Sequence, residues 1–463
     1  MIALPLALLW FGALVVACLD GRRRGVQAIA LAALAAALWR MVALGREVLA
    51  NGPVEVTAGG WPAGVGITLR ADALGVTFAI VSLGVSLAAL AYESAGRVRS
   101  RSFPALVLAV NLGLTGLFLT ADAFSFYVFF EISMIAAYVL TSYGERTRQL
   151  RSAMIFSVVN LLGSAFFLFG IVALYHATGT LDMADIAARL DLAGLNSSVL
   201  IATMIFVAFS IKLGLFPFHP WLPPVYTGTR VAVAAILSGA LANIGSYGLL
   251  RFGAGVMPEQ LEMASPVLVT LGVASILYGG IQAVARQEAA EVVAYSAIGQ
   301  VGYVMIAVAI GGSVGFAAAV VVAVVNAVAK PLLFLSIPVR GWALGIPFAV
   351  GAFSVAGIPP AAGFWGKAAL VRAALVPETT LERVALAALI LAGSALSVLY
   401  MFESYQREYW EPHEHEGGPC AARGRLAVVV LLAALIVALG VWPEPLLAMA
   451  EAAAAALLPG GAP

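Results

Sequence analysis

The sequence is poor in charged residues, which make up only 11% of its 463 positions, whereas apolar side chains make up 62%. Because roughly a quarter of the residues of an average soluble protein are charged, this composition excludes a water-soluble globule of this size. The formal net charge is +1, so the chain lacks the basic field by which proteins attract nucleic acid. A membrane-spanning helix needs about 20 apolar residues, so the sequence predicts a polytopic membrane protein.

Cysteine and histidine are also scarce. The two cysteines, Cys18 and Cys420, lie far apart along the chain and support neither a disulfide framework nor an iron–sulfur or zinc site. His413 and His415, in EPHEHEGG, have the spacing of metal ligands but no convincing third partner, which favours a solvated loop. We therefore expect no metal site and no bound cofactor.

Fourteen apolar runs follow one another along the chain. The first run lacks a preceding basic segment and is followed by Arg22, Arg23 and Arg24, which predicts a retained span rather than a signal peptide. The sequence thus predicts an all-α integral membrane fold of about 14 transmembrane helices in a single polytopic domain over residues 1–463. The runs lie at about 2–19, 25–44, 73–92, 103–120, 122–142, 152–175, 197–215, 230–250, 264–285, 290–310, 313–337, 342–375, 381–402 and 425–442.

The arginines are distributed unevenly between the loops. Loops after odd-numbered runs hold most of them, including Arg97 and Arg146, whereas loops after even-numbered runs hold few, such as Arg189. By the positive-inside rule, the odd loops face the cytoplasm and both termini lie outside. In the outer loops, residues 52–70 predict a hairpin and residues 181–191 a short helix on the membrane surface.

Lysine is the rarest basic residue, since only three of the 25 basic side chains are lysines. Lys212, Lys330 and Lys367 each lie within or beside an apolar run. Arginine stays protonated under essentially all conditions, whereas a lysine in a low-dielectric site can release its proton. The alternative is a lysine that snorkels to the membrane interface, which fits Lys367 best. Taken together, the three lysines favour proton exchange inside the membrane.

One carboxylate, Glu131 in FSFYVFFEISMIAAYVL, lies comparably deep in an apolar run. A buried carboxylate is costly unless it is paired, so we expect Glu131 to pair with a lysine in a proton relay; a structural ion pair is the alternative. Polar residues in other runs are expected to hold water along the path or to link helices. These supporting residues are Asn160, Asn243, Asn326, His219, Ser296, Gln300 and Tyr303.

Glycine and proline interrupt two of the lysine-bearing runs. Gly214 and Pro217 follow Lys212, and the segment 357–360 (GIPP) precedes Lys367. Proline kinks a helix, and freed carbonyls at membrane depth are tolerated only where protein or water satisfies them. Interrupted spans in the two halves of a chain are typical of transporters built from inverted repeats. The sequence therefore predicts an ion-conducting protein with a hydrated polar path.

Five segments, spread in order over roughly residues 55–400, carry a resemblance to a known family: YVFFEISMIAAYVL, IKLGLFPFHPWLPPVYTGTRVAVAAILSGALANIGSYGLLRF, AYSAIGQVGYVM, NAVAKPLLFL and AGIPPAAGFWGK. They resemble the antiporter-like proton-translocating subunits of respiratory complex I, membrane-bound hydrogenases and Mrp-type sodium/proton antiporters. The stretch GGWPAGVGITLRADAL is most similar to the D-type subunit of the Mrp antiporters. The resemblance implies two inverted five-helix repeats, at about 103–250 and 264–402, with helices 7 and 12 broken.

The resemblance also implies roles for individual residues. Glu131 matches the glutamate of the family's fifth helix, Lys212 the lysine of the seventh, Lys330 that of the eleventh, and Lys367 the ionisable residue of the twelfth. Among the departures from the family are two positions on the supporting polar path. Asn243 stands where the eighth helix commonly has lysine or histidine, and Asn326 stands where a histidine often precedes Lys330 by one turn.

The implied function is that of a proton-translocating subunit in a multisubunit Mrp-type antiporter that exchanges Na⁺ for protons, not an enzyme by itself. Its partners would be other membrane subunits in the cytoplasmic membrane of a bacterium or archaeon. The first alternative is a proton-pumping membrane-arm subunit of a complex I-like NADH–quinone oxidoreductase or of a membrane-bound hydrogenase. A degenerate scaffold subunit, suggested by Asn243 and Asn326, and an independent solute transporter are further alternatives.

Overall fold

The computed structural model describes residues 2–57, 66–190, 194–338, 345–376, 380–410 and 419–458, and nearly all of these residues are helical. The first half contains α1 (Leu4–Cys18), α2 (Arg24–Asn51), β1 (Val54–Thr57), β2 (Thr68–Ala71), α3 (Ala73–Ala95), α4 (Phe103–Leu119), α5 (Ala123–Thr141), α6 (Thr147–Thr178), α7 (Met183–Arg189), α8 (Leu195–Leu213), α9 (Leu222–Gly228), α10 (Val231–Ile236) and α11 (Asn243–Gly248). The second half contains α12 (Pro258–Val284), α13 (Ala289–Ile310), α14 (Gly312–Ser336), α15 (Ile346–Ala356), α16 (Gly363–Leu375), α17 (Leu381–Tyr409), α18 (Pro419–Val441) and α19 (Glu444–Ala455).

The helices coincide with the predicted apolar runs. Among the described residues, eleven helical segments are long and apolar enough to cross a membrane, and each lies on one of the fourteen runs. Three shorter apolar helices, α1, α4 and α15, lie on the other three. The all-helical membrane fold is thereby confirmed, whereas the count of 14 spans and the two inverted repeats stay predictions.

Two helical segments form the most enclosed part of the chain. In the most apolar stretch of the Val231–Ala254 segment 94% of the residues are buried, and the same is true of α14. The corresponding share in α17 is 33%. Polar and ionisable residues of a membrane-spanning protein almost always face its interior. Asn243 and Lys330 lie on these two inner segments.

Both predicted helix breaks are present. α8 ends at Leu213, where Gly214 adopts a left-handed φ of +67°, and the chain resumes with a short 3₁₀ helix before α9. The apolar run 342–375 forms two helices, because α15 stops at Gly357, whose φ is +82°. Glycine adopts this conformation at little steric cost and commonly ends helices in this way.

A further irregularity lies in the Val231–Ala254 segment, which contains no proline that would predict it. The α-helical stretches α10 and α11 alternate with two π-helices, Leu237–Leu241 and Leu249–Ala254. A π-helix shifts the backbone hydrogen bonds by one residue and frequently marks a functional position. Asn243 comes just after the first of them.

The two predicted outer-loop elements are found. β1 and β2 pair antiparallel with Val54 opposite Ala71, which gives the predicted hairpin. Residues 58–65 of its predicted lid lie outside the described residues. The helix expected in 181–191 is α7, which Asp182 caps by accepting hydrogen bonds from the amides of Ala184 and Asp185. Its position on a membrane surface stays a prediction.

Two groups of ion pairs lie at opposite ends of α3 and identify the two faces of the bundle. At one face, the buried Glu93 at the end of α3 lies 3.7 Å from Arg230 and 3.9 Å from Arg425 and accepts a hydrogen bond from Tyr143. All of these residues belong to odd loops or to the span ends beside them. At the other face, Asp72 and Arg251, beside even loops, pair at 2.6 Å. Odd and even loops thus lie on opposite faces, as alternating spans require.

Candidate proton path

The first cluster surrounds Lys212, the second-last residue of α8. This lysine is buried, and its Nζ donates a hydrogen bond to the carbonyl of Asn160 on α6 at 3.2 Å. The same ammonium lies 4.2 Å from the ring centroid of Phe130 on α5. A carbonyl dipole and an aromatic face are the two neutral groups best suited to a desolvated cation. The site therefore accommodates a charged lysine inside the bundle.

Glu131 follows Phe130 on α5 and completes this cluster. It accepts a hydrogen bond from the hydroxyl of Ser164, which lies one turn after Asn160 on α6. Glu131 and Lys212 are close enough to interact electrostatically. Residues four apart share one helix face, so α6 contacts the lysine through Asn160 and the carboxylate through Ser164.

Glu131 lies nearer the surface of the chain than its apolar neighbours in sequence suggest. Its own side chain is half-buried, and on the same helix Val128 is 40% and Ile135 58% exposed. α5 therefore places the carboxylate between the bundle interior and its outer surface. Glu131 therefore lies on the side of the cluster that faces the surroundings of the chain in the membrane.

A cavity of about 40 Å³ lies between the two halves of the chain. It is large enough for a water molecule, which needs roughly 10–15 Å³. Leu213, next to Lys212, lines it from the first half. The polar residues that line it are Tyr226, Ser238, Asn243, Ser246, Gln300, Asn326 and Lys330. Asn243 and Lys330 thus line the same cavity.

Lys330 lies in the last third of α14 and is buried. Its Nζ donates a hydrogen bond to the hydroxyl of Ser296 on α13, which in turn donates to the carbonyl of Val293 at 2.8 Å. Gly239 of the first π-helix lies against Pro331 and leaves no room for a Cβ atom. This close approach brings the helical segment of Asn243 against the helix of Lys330.

The last cluster surrounds Lys367 on α16. Its Nζ is buried, lies 3.0 Å from the ring centroid of Tyr303, and has no hydrogen-bond acceptor among the described residues. Lys367 and Lys330 are close enough to repel each other when both are charged. Gln300 donates to the carbonyl of Val355 at 3.2 Å, which ties α13 to the end of α15. The broken helix thus lies directly beside the third lysine.

His219 lies in the break between α8 and α9. Its ring packs against Phe216 and Tyr278, with centroids 5.4 and 4.3 Å away. The predicted place of His219 on the path stays a prediction. His413 and His415 lie outside the described residues. Within the described residues, no group of three or more histidine, cysteine, aspartate or glutamate side chains could hold a metal ion.

Sequence reasoning missed three residues that contact the predicted ones. Phe130 and Ser164 contact Lys212 and Glu131, and Ser82 on α3 accepts a hydrogen bond from the Asn243 amide at 3.2 Å. Serine and phenylalanine are common in every membrane helix, so their identity carries no signal. Only the position of Phe130, directly before Glu131, offered a hint.

Comparison with known proteins shows the family. The family model described as NADH:quinone oxidoreductase/Mrp antiporter, transmembrane, matches residues 120–341. The chain is 30% identical over 425 residues to the D-type subunit of the Na(+)/H(+) antiporter of Alkalihalophilus pseudofirmus, covering 86% of this chain and 85% of that one. It is 32% identical over 454 residues to the N-type subunit of the NADH-quinone oxidoreductase of Desulforudis audaxviator, covering 90% and 88%.

A solved structure agrees with the sequence comparisons. A chain of the Mrp complex from a Dietzia species superposes with a TM-score of 0.85 at 25% identity, covering 98% of this chain and 96% of that one. The match extends over nearly the whole chain, well beyond residues 120–341, so the shared fold includes both lysine-bearing halves. The chain belongs to the family of transmembrane subunits found in NADH:quinone oxidoreductases and Mrp antiporters.

Proposed function

We propose that this chain is a proton-translocating subunit of a multisubunit cation/proton antiporter of the Mrp type. The observation that carries the proposal is the row of three buried lysines and one half-buried carboxylate across both halves of the chain. Lys212 with Glu131, the cavity of Asn243 and Lys330, and Lys367 follow one another through the bundle. Buried charges are costly inside a membrane protein and mark ion pathways by default.

The first half of the proposed path loads a proton. Glu131 stabilises the charged form of Lys212 through their electrostatic interaction, with help from Phe130 and the Asn160 carbonyl. When a conformational or ionic change weakens the interaction with Glu131, Lys212 gives up its proton. The cavity lined by Leu213, the neighbour of Lys212, and by Lys330 leaves room for water to carry the proton toward Lys330.

The second half releases the proton. Once Lys330 is charged, it repels a charged Lys367, because the two ammonium groups share a low-dielectric interior. That repulsion expels a proton from Lys367 beside the break at Gly357. We place the chain in the cytoplasmic membrane with its odd loops in the cytoplasm and both termini outside, as the arginine distribution favours. Other membrane subunits are its partners, and Na⁺ is the exchanged ion.

A second candidate is a membrane-arm subunit of a redox-driven proton pump. The 32% identity to a subunit of an NADH-quinone oxidoreductase supports it. The same proton path would then be driven by electron transfer in other subunits. Purification of a tagged copy from its native membrane in mild detergent distinguishes the two. Small hydrophobic subunits and a larger antiporter-like subunit favour the antiporter, whereas flavin, iron–sulfur or nickel proteins favour the redox pump.

The variant Lys212→Ala tests the shared core of both proposals. We expect it to abolish ion transport by the assembled complex, because the proposed path passes through this lysine and alanine cannot carry a proton. Ile211→Ala is the matched control, since it truncates the neighbouring buried side chain on α8 and leaves the lysine in place. Full transport in Lys212→Ala membranes that contain normal amounts of complex would overturn the assignment.

A further inference from the structure

Three polar contacts join α3 to the Val231–Ala254 segment along its length. Asp72, which caps α3, pairs with Arg251 at 2.6 Å, and Glu93 near its other end lies 3.7 Å from Arg230. Midway between them, Ser82 contacts the segment where the first π-helix ends. The two elements run antiparallel, so α3 fixes both ends and the centre of the segment that carries Asn243.

The central contact fixes the orientation of the Asn243 carboxamide. Its Nδ2 donates to the carbonyl of Gly239 at 2.9 Å and to the Ser82 hydroxyl at 3.2 Å. The Ser82 hydroxyl can accept this bond because its own proton goes to the carbonyl of Ala240 at 3.3 Å. A backbone carbonyl only accepts hydrogen bonds, so the atom facing Gly239 must be the amide nitrogen. Both Nδ2 protons are therefore engaged.

The oxygen Oδ1 is then the polar atom of Asn243 left for the cavity that it lines with Lys330. A water in this cavity can donate one proton to Oδ1 and keep its lone pairs and second O–H free. It can then receive a proton on a lone pair and release one from the second O–H, which leaves the water unchanged. If the amide were reversed, its N–H would donate to the water and leave it one free lone pair instead of two, which makes the water a poorer proton acceptor.

We propose that Ser82 is a positioning residue, which holds Asn243 with its oxygen toward the cavity so that a bound water relays protons between the two halves. This inference rests on the proposed function of the chain. The Asn243 oxygen, held in one orientation, and a bound water together take the place of an ionisable side chain at position 243. Asn243 is accordingly part of a working relay and not a sign of a degenerate subunit.

The test uses the intact complex reconstituted into liposomes, with proton transport as the readout. Ser82→Ala removes one of the two hydrogen bonds that hold the Asn243 amide nitrogen, and this loss should lower the rate about five-fold. Ser86→Ala is the matched control, because Ser86 lies one turn away on α3, is equally buried, and has no hydrogen-bond partner among the described residues. The Ser86→Ala variant should keep the full rate. Ser82→Thr retains the hydroxyl and should therefore transport protons at most of the wild-type rate.

A double-mutant cycle separates positioning from a general effect on packing. If Ser82 acts through Asn243, Ser82→Ala should lower the rate no further in an Asn243→Ala background. Additive losses, or equal rates for Ser82→Ala and Ser86→Ala, would contradict the inference. Lys212→Ala is measured in the same series. If Lys212→Ala transports protons normally, the proposed function itself fails. If Lys212→Ala abolishes transport while Ser82→Ala transports normally, only the role of Ser82 is rejected.

Discussion

At the scale of single residues, the ring of Phe130 lies 4.2 Å from the Lys212 ammonium. This interaction exists only while the lysine is charged, and a desolvated cation–π contact is worth about 2 kcal/mol. Phe130→Leu keeps the apolar volume but removes the ring. We expect it to lower the proton-transport rate by up to about thirty-fold, which is the factor that corresponds to 2 kcal/mol.

Phe130→Tyr is the control for this prediction, because it retains an aromatic face at the same position. Initial rates of proton uptake by liposomes that contain each variant complex give the comparison. Equal rates for the leucine and tyrosine variants would show that the ring does not stabilise the charged lysine.

The sequence was informative about ionisable residues and uninformative about their contacts. Only three lysines occur, all in apolar runs, and this rarity picks out Lys212, Lys330 and Lys367 because chemistry restricts such positions. The contacts of Ser164 and Ser82 could not be predicted, since a serine in a helix bonds equally well to its own backbone or to another helix. The partial exposure of the Glu131 side chain was also missed, because apolar residues flank it both on the outer surface of the bundle and in its interior.

At the scale of elements, the break between α15 and α16 positions Lys367. Gly357 ends α15 at a φ of +82°, and a Cβ atom there would meet the stem of the Lys367 side chain. Gly357→Ala therefore adds backbone strain of roughly 1–2 kcal/mol and also pushes the lysine away from the Tyr303 ring. We expect it to lower thermal stability slightly and to lower proton transport severely.

Gly179→Ala separates the two effects. Gly179 ends α6 at a φ of +71°, but nothing lies within 4 Å of the position that its Cβ would take. This variant should show the same small loss in the melting temperature of the purified complex and normal transport. If Gly357→Ala transports as well as Gly179→Ala, then the break does not control Lys367.

The helix breaks could be predicted from the sequence, whereas the π-helices could not. Both breaks followed from Gly214 and from Gly357 with its neighbouring prolines, because these residues have specific backbone consequences. The π-helices in the Val231–Ala254 segment were not predicted, since its residues are good formers of an ordinary membrane helix. The contacts of Ala240 and Arg251 with α3 depend on that segment's tertiary surroundings, which local sequence does not report.

At the scale of the whole molecule, the loops divide into two faces, and the arginine distribution predicts which face is cytoplasmic. The test uses a chain without Cys18 and Cys420, into which single cysteines are introduced. A membrane-impermeant thiol reagent added to right-side-out vesicles should label Ala188→Cys on α7 and spare Arg97→Cys after α3. Inside-out vesicles should give the reverse pattern, and the same pattern in both preparations would contradict the predicted orientation.

The central claim is that protons pass through the chain by way of its buried lysines, and Lys330→Arg tests it most directly. Arginine keeps the positive charge next to Ser296 but does not release its proton, so a purely structural cation would survive the change. The measurement is proton transport by the reconstituted complex, with Lys330→Ala alongside and subunit content checked for both variants. The account predicts that the arginine variant assembles and transports no better than the alanine variant. Transport at the wild-type rate by Lys330→Arg would contradict it.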